Sequence, residues 1–254
     1  MGILRFSALF TMAVAMLGAL GFGAYEYGES PASQLFGATF VRGPASQHVV
    51  ALTFDDGPNP PYTDGILDVL EREGVPATFF VVGRAVAAYP QVVRREVRDG
   101  DAIGNHTWDH AHLIVLDAGQ IRRSLALTDA AIAKAAGTRT TLMRPPFGAR
   151  DWFVLAQARR LGYTPVMWSV PLARDWENAP PRVIAERILR YVRNGSVIVL
   201  HDGNRGIICG RQGAQRQLCD RARSVAATRM IVDALKKRGY RFVTVPELIR
   251  LSGL

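Results

Sequence analysis

The chain has 254 residues, a length that suits a single α/β domain, and 48% of its residues are hydrophobic while 21% are charged. These proportions are ordinary for a globular protein and exclude a disordered, collagen-like or low-complexity chain. The formal net charge of +9 favours acidic partners, but the basic residues are scattered and no nucleic-acid-binding motif accompanies them. We therefore interpret the charge as a solvated basic surface and expect no nucleic-acid partner.

The first residues of the chain form a distinct segment. Arg5 precedes an apolar stretch at residues 7–24, and two glutamates follow that stretch. This order is typical of a signal peptide or a signal anchor whose N-terminus stays in the cytoplasm. The stretch is close to the length needed to span a bilayer, while small residues around Gly21 offer cleavage sites, so both alternatives stay open. We expect residues 1–29 to direct export, leaving the protein periplasmic, secreted, or anchored and facing outward.

Two further features bear on domain organisation. Residues 30–47 contain Gly, Pro and Ser without clear periodicity, which predicts a linker leading into a catalytic domain at residues 48–254. The chain has two cysteines, Cys209 and Cys219. In an exported protein we expect them to form a disulfide that closes a short loop, and a free buried pair is the alternative.

From residue 49 onward, short apolar runs alternate with amphipathic stretches. The pattern predicts strands at residues 49–54, 77–82, 101–104, 140–143, 164–170, 197–200 and 241–245. It predicts helices at residues 64–73, 86–97 (with Pro90 as a break), 118–135, 152–161, 181–192, 226–237 and 246–251. Regular alternation implies parallel strands joined by helical crossovers. We therefore predict an irregular, seven-stranded (β/α) barrel related to the TIM barrel, with its chemistry at the C-terminal ends of the strands.

Two aspartates end the first predicted strand. Asp55 and Asp56 are followed by Gly57 and Pro58. Side chains of neighbouring strand residues point to opposite faces, but a turn at the strand end can bring both into one site. Two adjacent carboxylates repel each other unless a cation or hydrogen bonds offset the repulsion. The alternative is a turn or helix-capping role, which explains many Asp-Gly-Pro segments.

Two histidines follow the third predicted strand. His106 and His110 are four residues apart, a spacing that places both imidazoles on one face of a helical turn and within reach of one ion. Together with Asp56 they make a set of two histidines and one carboxylate, which leaves positions open for water and substrate as in a catalytic metal site. The alternative is a pair on a helix surface. His112 is a weaker candidate ligand, and His48 has no evident role.

A proline-containing loop follows the fourth predicted strand, in the order Arg144, Pro145, Pro146, Phe147. Proline lacks an N–H group, so the first free backbone donor after Arg144 is that of Phe147, which would be available to an oxyanion. Arg144 can pair with Asp55 and hold its charge and orientation. The alternative is a rigid loop that carries a surface arginine.

Two weaker motifs follow later strands. Asp175 and Trp176 come after the strand predicted at residues 164–170, and His201 ends the strand predicted at residues 197–200. A histidine at a strand end with an acidic partner elsewhere suits a general acid. The alternative is a residue at the edge of the core.

Taken in chain order, these segments resemble the five motifs of the polysaccharide deacetylase family (the NodB-like domain, carbohydrate esterase family 4). The resemblance covers residues 49–251. The segments are Thr53-Phe54-Asp55-Asp56-Gly57-Pro58, His106-Thr107-x-x-His110, Arg144-Pro145-Pro146-Phe147, Asp175-Trp176 and Leu200-His201. The resemblance implies that Asp55 is the catalytic base and that Arg144 orients it. It also implies that Asp56, His106 and His110 bind a divalent metal, most often zinc.

The resemblance extends to the acid side of the reaction. It implies that His201 protonates the leaving amine, that Asp175 tunes His201, and that Trp176 lines the acetyl pocket. Two positions depart from the family pattern. Leu172 stands where the fourth motif usually has a second aspartate, which puts the support of that loop in doubt. Val199 stands where the fifth motif usually has leucine, which keeps the pocket apolar.

The expected reaction is therefore metal-dependent hydrolysis of N-acetyl groups on an amino-sugar polymer, with release of acetate. Export favours peptidoglycan, chitin-like oligomers or an exopolysaccharide as the substrate. Two alternatives are an esterase or cyclic-amide hydrolase on the same scaffold, and an inactive carbohydrate-binding module. Intact Asp55 and His201 argue against the binding module, which needs neither an acid nor a base.

Overall fold

The computed structural model of the chain describes Met16 and residues 30–177, 179–208 and 215–254, with Gln215 and Arg216 described in their backbone only. The export segment predicted at residues 1–29 lies outside the described residues except for Met16, and so does Cys209. The export signal and the Cys209–Cys219 disulfide therefore stay predictions. Among the helices that the structure describes, none is both long enough and apolar enough to cross a membrane.

Strands and helices alternate along the described chain. The strands are β1 (Val49–Asp55), β2 (Thr78–Val81), β3 (Ala102–Asn105), β4 (Leu142–Met143), β5 (Thr164–Pro165), β6 (Ser196–His201) and β7 (Arg241–Phe242). The helices are α1 (Tyr62–Glu73), α2 (Gly83–Ala88), α3 (Pro90–Arg98), α4 (Ala118–Ala136), α5 (Trp152–Arg160), α6 (Pro181–Leu189), α7 (Gln215–Cys219), α8 (Ala222–Lys237) and α9 (Val245–Leu251).

The strands form one parallel sheet in the order β5-β4-β3-β2-β1-β6, and β7 pairs with the start of β1. The two ends of this sheet meet through the residues that follow β5. Phe40 and Met167 are joined by a backbone hydrogen bond of 2.8 Å, and the Ser169 N–H donates to the carbonyl of Val197 over 3.1 Å. These bonds connect the β5 edge to β6. The predicted irregular, seven-stranded (β/α) barrel is confirmed.

The alternation of side chains along β1 separates two apolar layers, because successive strand residues point to opposite faces. Val50, Leu52 and Phe54 pack in the large cluster shared with the surrounding helices. Val49 and Ala51 belong to the second cluster, which fills the barrel interior. Thr53 and Asp55 continue the inward series, so the pleat of β1 directs the Asp55 carboxylate into the mouth of the barrel.

Most of the predicted strands and helices are present. At two helix boundaries, a single residue was enough to predict where the helix begins or ends. Pro90 begins α3 and separates it from α2, as its missing N–H predicts. Gly137 ends α4 in the left-handed conformation with a φ of 67°. The strand predicted at residues 241–245 was too long, because the Thr244 side chain accepts the Glu247 N–H and caps α9.

The strand predicted at residues 164–170 was also too long, since β5 contains only Thr164 and Pro165. The Val166 N–H still donates to Met143 of β4, but the next partner is Phe40, which accepts the Met167 N–H over 2.8 Å. The sequence does not reveal this change of partner, because the apolar run at residues 166–170 is buried in either arrangement.

The division into linker and catalytic domain stays a prediction. Within the predicted linker, however, Phe40 is buried in the barrel-interior cluster. Arg42 forms an antiparallel bridge with Ser196, and the Gly43 N–H donates to the Gly195 carbonyl over 2.8 Å. This part of the segment contributes to barrel closure.

Candidate active site

Asp55 and Asp56 enter the same pocket from the end of β1. Asp55 is the last strand residue, and Asp56 adopts a left-handed conformation with a φ of 80°. That conformation turns the second carboxylate toward the first, and the Asp56 N–H donates to the Phe80 carbonyl over 3.2 Å. Gly57 is required next, because a Cβ at this position would lie 1.9 Å from the Asp202 Oδ2.

His106 and His110 also converge on the pocket, but from a loop. The prediction of a helical turn was wrong, since Thr107 and His110 have left-handed φ values of 69° and 58° and the segment is not helical. Hydrogen bonds from neighbouring residues hold the loop in this form: the Gly83 N–H donates to the Thr107 carbonyl over 2.9 Å, and Ser124 Oγ accepts the Trp108 N–H over 2.9 Å.

Asp56, His106 and His110 form a cluster with the geometry of a metal-binding set. Their potential ligand atoms all lie within 4.8 Å of one another, and all three residues are buried. Asp56 Oδ1 lies 3.1 Å from His110 Nε2 and 3.5 Å from His106 Nε2. His106 Nδ1 lies 2.8 Å from the Arg144 carbonyl, so an Nδ1–H donor leaves the Nε2 lone pair facing Asp56.

A divalent cation fits this set. Asp56 Oδ1 is buried and accepts no hydrogen bond, an expensive condition for a carboxylate oxygen unless an ion contacts it. Burial raises the pKa of Asp56, but the imidazoles of His106 and His110 outweigh it and hold that pKa well below its usual range. Burial lowers the pKa of His110, which favours the neutral imidazole that metals bind.

Asp55 is paired with a fully buried arginine. Arg144 Nη1 donates to Asp55 Oδ1 over 2.6 Å and to Thr53 Oγ1 over 2.8 Å. The remaining guanidinium donors reach the carbonyls of Val166 and Met167 over 3.2 and 3.3 Å. All of these partners line the barrel interior, so the arginine holds the Asp55 carboxylate in one orientation.

His201 faces the same pocket from the end of β6 and is held by Asp175. Asp175 Oδ1 lies 2.9 Å from His201 Nδ1, while Oδ2 accepts the His201 N–H over 2.8 Å and the Ser224 hydroxyl over 2.9 Å. Although burial raises the pKa of Asp175, His201 and the hydrogen bonds lower it overall. Burial lowers the pKa of His201, but the Asp175 charge outweighs burial and raises that pKa to about 9.

The proteins to which this chain is similar agree with this arrangement of side chains. The family described as polysaccharide deacetylase matches residues 42–166. A peptidoglycan-N-acetylglucosamine deacetylase of Bacillus cereus is 34% identical over 208 residues, which are 82% of this chain and 91% of that protein. This chain belongs to the polysaccharide deacetylase family.

Two further relatives extend the likeness in sequence and fold. A chitooligosaccharide deacetylase of a Bradyrhizobium species is 36% identical over 203 residues, covering 78% of this polysaccharide deacetylase and 90% of that protein. A crystal structure of a peptidoglycan N-acetylglucosamine deacetylase superposes with a TM-score of 0.74 at 33% identity and covers 83% of this chain and 92% of that one. The family resemblance inferred from the motifs is confirmed.

The pocket has a volume of about 770 Å³ and is lined by the candidate residues Asp55, Asp56, His106, His110, Phe147, Asp175, Trp176 and His201, whereas Arg144 is buried behind Asp55 and His112 does not line it. Phe147 adopts a left-handed φ of 61°, and among the described residues its N–H has no acceptor. Its ring lies 4.5 Å from the His110 ring and 5.1 Å from the His112 ring. The Trp176 ring packs edge-on against His201 at 4.9 Å. Within this set, His112 contacts Phe147 and does not join the ligand cluster.

The fourth motif carries Leu172 in place of the usual aspartate, and Asp175 of this motif is nevertheless held by hydrogen bonds. Leu172 is partly exposed and lines the pocket, while Asp175 is held by His201 and by Ser224 of α8. Sequence reasoning missed Ser224, because a single serine near the start of a helix carries no distinguishing signal. It also missed Arg205, whose backbone N–H donates to Asp56 Oδ2 over 2.9 Å.

Proposed function

We propose that the protein is a metal-dependent hydrolase that removes N-acetyl groups from an amino-sugar polymer and releases acetate. The observation that carries this proposal is the arrangement of one pocket. A cluster suited to a metal shares the pocket with an arginine-held carboxylate, Asp55, and an aspartate-held imidazole, His201. The names of the relatives support acetylated amino-sugar polymers as the substrate class.

Asp56, His106 and His110 would hold the metal. Two imidazoles and one carboxylate suit zinc, and the set leaves positions open for substrate. When bound, a divalent ion supplies Lewis acidity to the acetamide carbonyl. We therefore propose zinc as the cofactor.

Asp55 would act as the general base. Its Oδ1 is committed to Arg144 over 2.6 Å, which fixes the carboxylate plane and leaves the other oxygen to take a proton from the attacking water. A carboxylate held in this way loses no rotational freedom during the reaction. The entropy of orienting the base has therefore already been lost when the protein folds.

His201 and Phe147 would act on the other side of the amide. Because Asp175 lies at Nδ1 of His201, the Nε2–H is the proton available to the leaving nitrogen. The Phe147 N–H would donate to the developing oxyanion, since it lacks an acceptor among the described residues. Trp176 would line the cavity for the acetyl methyl group, beside His201.

The test is acetate release from N-acetylglucosamine oligomers by the full chain, after chelation and again after zinc is restored. We expect chelation to abolish release and zinc to restore it. Parallel assays with acetyl esters of the same sugars address the esterase alternative, which predicts faster ester turnover. Absence of acetate from every substrate, with zinc bound, would support a binding role.

We also propose that the protein acts outside the cytoplasm, at the cell envelope. Residues 1–29 would export it and would anchor it to the membrane if they remain attached. The observation behind this proposal is the charged-then-apolar order of that segment.

A further inference from the structure

One wall of the active-site pocket is formed by residues that follow β6, and Arg205 of this wall contacts the metal-binding set. Arg205 adopts a left-handed φ of 46°, and its backbone N–H donates to Asp56 Oδ2 over 2.9 Å. Two residues earlier, the Gly203 N–H donates to the Asp55 carbonyl over 3.3 Å. The base of the Arg205 side chain is therefore fixed relative to both aspartates.

The guanidinium of Arg205 lies over an aromatic ring of the pocket. Its central carbon is 5.4 Å from the centre of the Phe147 ring, and that ring is 4.5 Å from the ring of His110. One aromatic side chain thus separates the cation from a metal ligand. Arg205 is exposed to solvent, and among the described residues no carboxylate lies within ion-pair distance of it. Stacking on Phe147 orients the planar guanidinium and leaves its edge free to accept a ligand.

Among the described residues that line this wall, basic side chains outnumber acidic ones. Arg221 is buried in the same wall and donates to three backbone carbonyls, those of Gly203, Leu218 and Asp220. Asp220 also lines the pocket, and its Oδ1 accepts the N–H of Ala222 at the start of α8. Among the described pocket-lining residues that follow β6, Asp220 is one carboxylate against three arginines, Arg205, Arg221 and Arg223, so this part of the wall carries a net positive charge.

The three other carboxylates of the pocket are committed elsewhere. Asp55 is paired with Arg144, and Asp175 is paired with His201. Asp56 faces the two histidines of the metal-binding set. The positive wall is therefore available to a negative group on a bound ligand, and an arginine edge is well matched to a carboxylate because it can donate two parallel hydrogen bonds.

We propose that Arg205 is a specificity residue that binds a carboxylate carried by the glycan, so that the protein prefers an acidic amino-sugar polymer to a neutral one. This inference rests on the proposed deacetylase function and names its substrate class. N-acetylmuramic acid carries such a carboxylate on its lactyl group, whereas an oligomer of N-acetylglucosamine carries none. Because Arg205 and His110 contact the same Phe147 ring, we expect the carboxylate to lie on the reacting sugar or on its immediate neighbour.

The experiment uses the full chain with zinc and three peptide-free tetrasaccharides. One alternates N-acetylglucosamine with N-acetylmuramic acid, the second is the same molecule with its carboxylates converted to methyl amides, and the third is neutral chitotetraose. We expect kcat/KM to be roughly tenfold higher for the acidic tetrasaccharide than for its amide, as a charge-assisted arginine contact provides. The preference should weaken as salt is raised.

Substitutions at position 205 test the assignment. Arg205→Gln should remove the preference for the acid over the amide, and Arg205→Lys should keep part of it, since lysine retains the charge without the paired donors. Arg238→Gln is the matched control: Arg238 is exposed at the end of α8 and donates to the Leu189 carbonyl. It lies at the opposite end of the barrel, so its loss should leave the preference intact.

The outcomes separate the two proposals. Equal turnover of acid and amide by the unaltered protein, or an equal fall for both in Arg205→Gln, overturns the role of Arg205 and leaves the deacetylase standing. Acetate release from none of the three tetrasaccharides overturns both. Zinc content should be measured in Arg205→Gln, to check that a fall in turnover does not come from loss of the metal. We expect zinc content to stay unchanged, because the backbone N–H of residue 205 can still donate to Asp56.

Discussion

Arg144 and Asp55 form an ion pair with an Nη1 to Oδ1 distance of 2.6 Å, and the two side chains are only 0% and 5% exposed. The arginine comes from the end of β4 and the aspartate from the end of β1, so the pair crosses the barrel interior. Neither charge can be removed alone without leaving the other buried and unpaired. This relationship links the stability of the barrel to the orientation of the proposed base.

Replacing Arg144 should be costly for folding. Removing one partner of a buried ion pair destabilises by about 3–5 kcal/mol, because the remaining charge loses its compensation. We expect Arg144→Met to lower the free energy of unfolding by that order, measured by urea denaturation. Arg182→Met is the control, since Arg182 pairs with Glu186 on an exposed helix surface and should leave stability nearly unchanged. Equal stability of the two variants would contradict the assignment.

Asp55→Asn should separate chemistry from metal binding. Asparagine keeps the size of the side chain and can still accept from Arg144, but it cannot take up a proton. Loss of a general base slows a reaction by about 10²–10⁴-fold, so acetate release should fall by that factor while zinc content stays unchanged. Asp56→Asn should instead lower both zinc content and turnover. Full activity in Asp55→Asn would remove Asp55 from the base role.

Metal removal should lower thermal stability through the Asp56, His106 and His110 set. An ion that binds only the folded state stabilises by RT ln(1 + [L]/Kd), about 2.7 kcal/mol at a hundredfold excess over Kd. We expect chelation to lower Tm and zinc to restore it. His110→Ala should abolish this zinc-dependent shift, read by calorimetry. His48→Ala should retain it, because His48 is exposed and packs on Tyr240 at 3.8 Å.

The pH dependence of turnover should report His201. Burial lowers its pKa, but the Asp175 carboxylate at 2.9 Å outweighs burial, and the pKa is raised to about 9. The imidazole is therefore protonated at neutral pH and loses its proton as pH rises through about 9. We expect kcat to fall on that alkaline side. Asp175→Asn removes the nearby charge and should move the fall to lower pH.

The same pKa predicts a change in stability. Since the folded value lies above the unfolded value of about 6.5, the ion pair contributes fully below that pH and its contribution is lost as pH rises through about 9. Asp233→Asn is the control for the pH profiles of kcat and of the free energy of unfolding, because Asp233 forms an exposed pair with Lys237. An alkaline limb that stays in place in Asp175→Asn would argue against His201 as the acid.

The helical-turn interpretation of His106 and His110 shows a limit of spacing arguments. The four-residue spacing correctly indicated that the two imidazoles converge, but the segment is a loop with left-handed residues at Thr107 and His110. Its conformation depends on the Gly83 N–H and the Ser124 hydroxyl, which come from α2 and α4. Contacts between elements far apart in the chain are not encoded in a local spacing.

The amino-acid sequence by itself determined the alternation of strands and helices, the position of Asp55 at the end of the first strand, and the candidate metal ligands, because strand pleat, helix period and capping act within a few residues. Only the tertiary structure decided that Phe40 and residues 166–169 close the barrel, that Ser224 supports Asp175, and that Arg205 lies over Phe147 beside the metal-binding set. These contacts join residues on different strands and helices. They depend on barrel closure and on how the loops fold above it, which no local periodicity specifies.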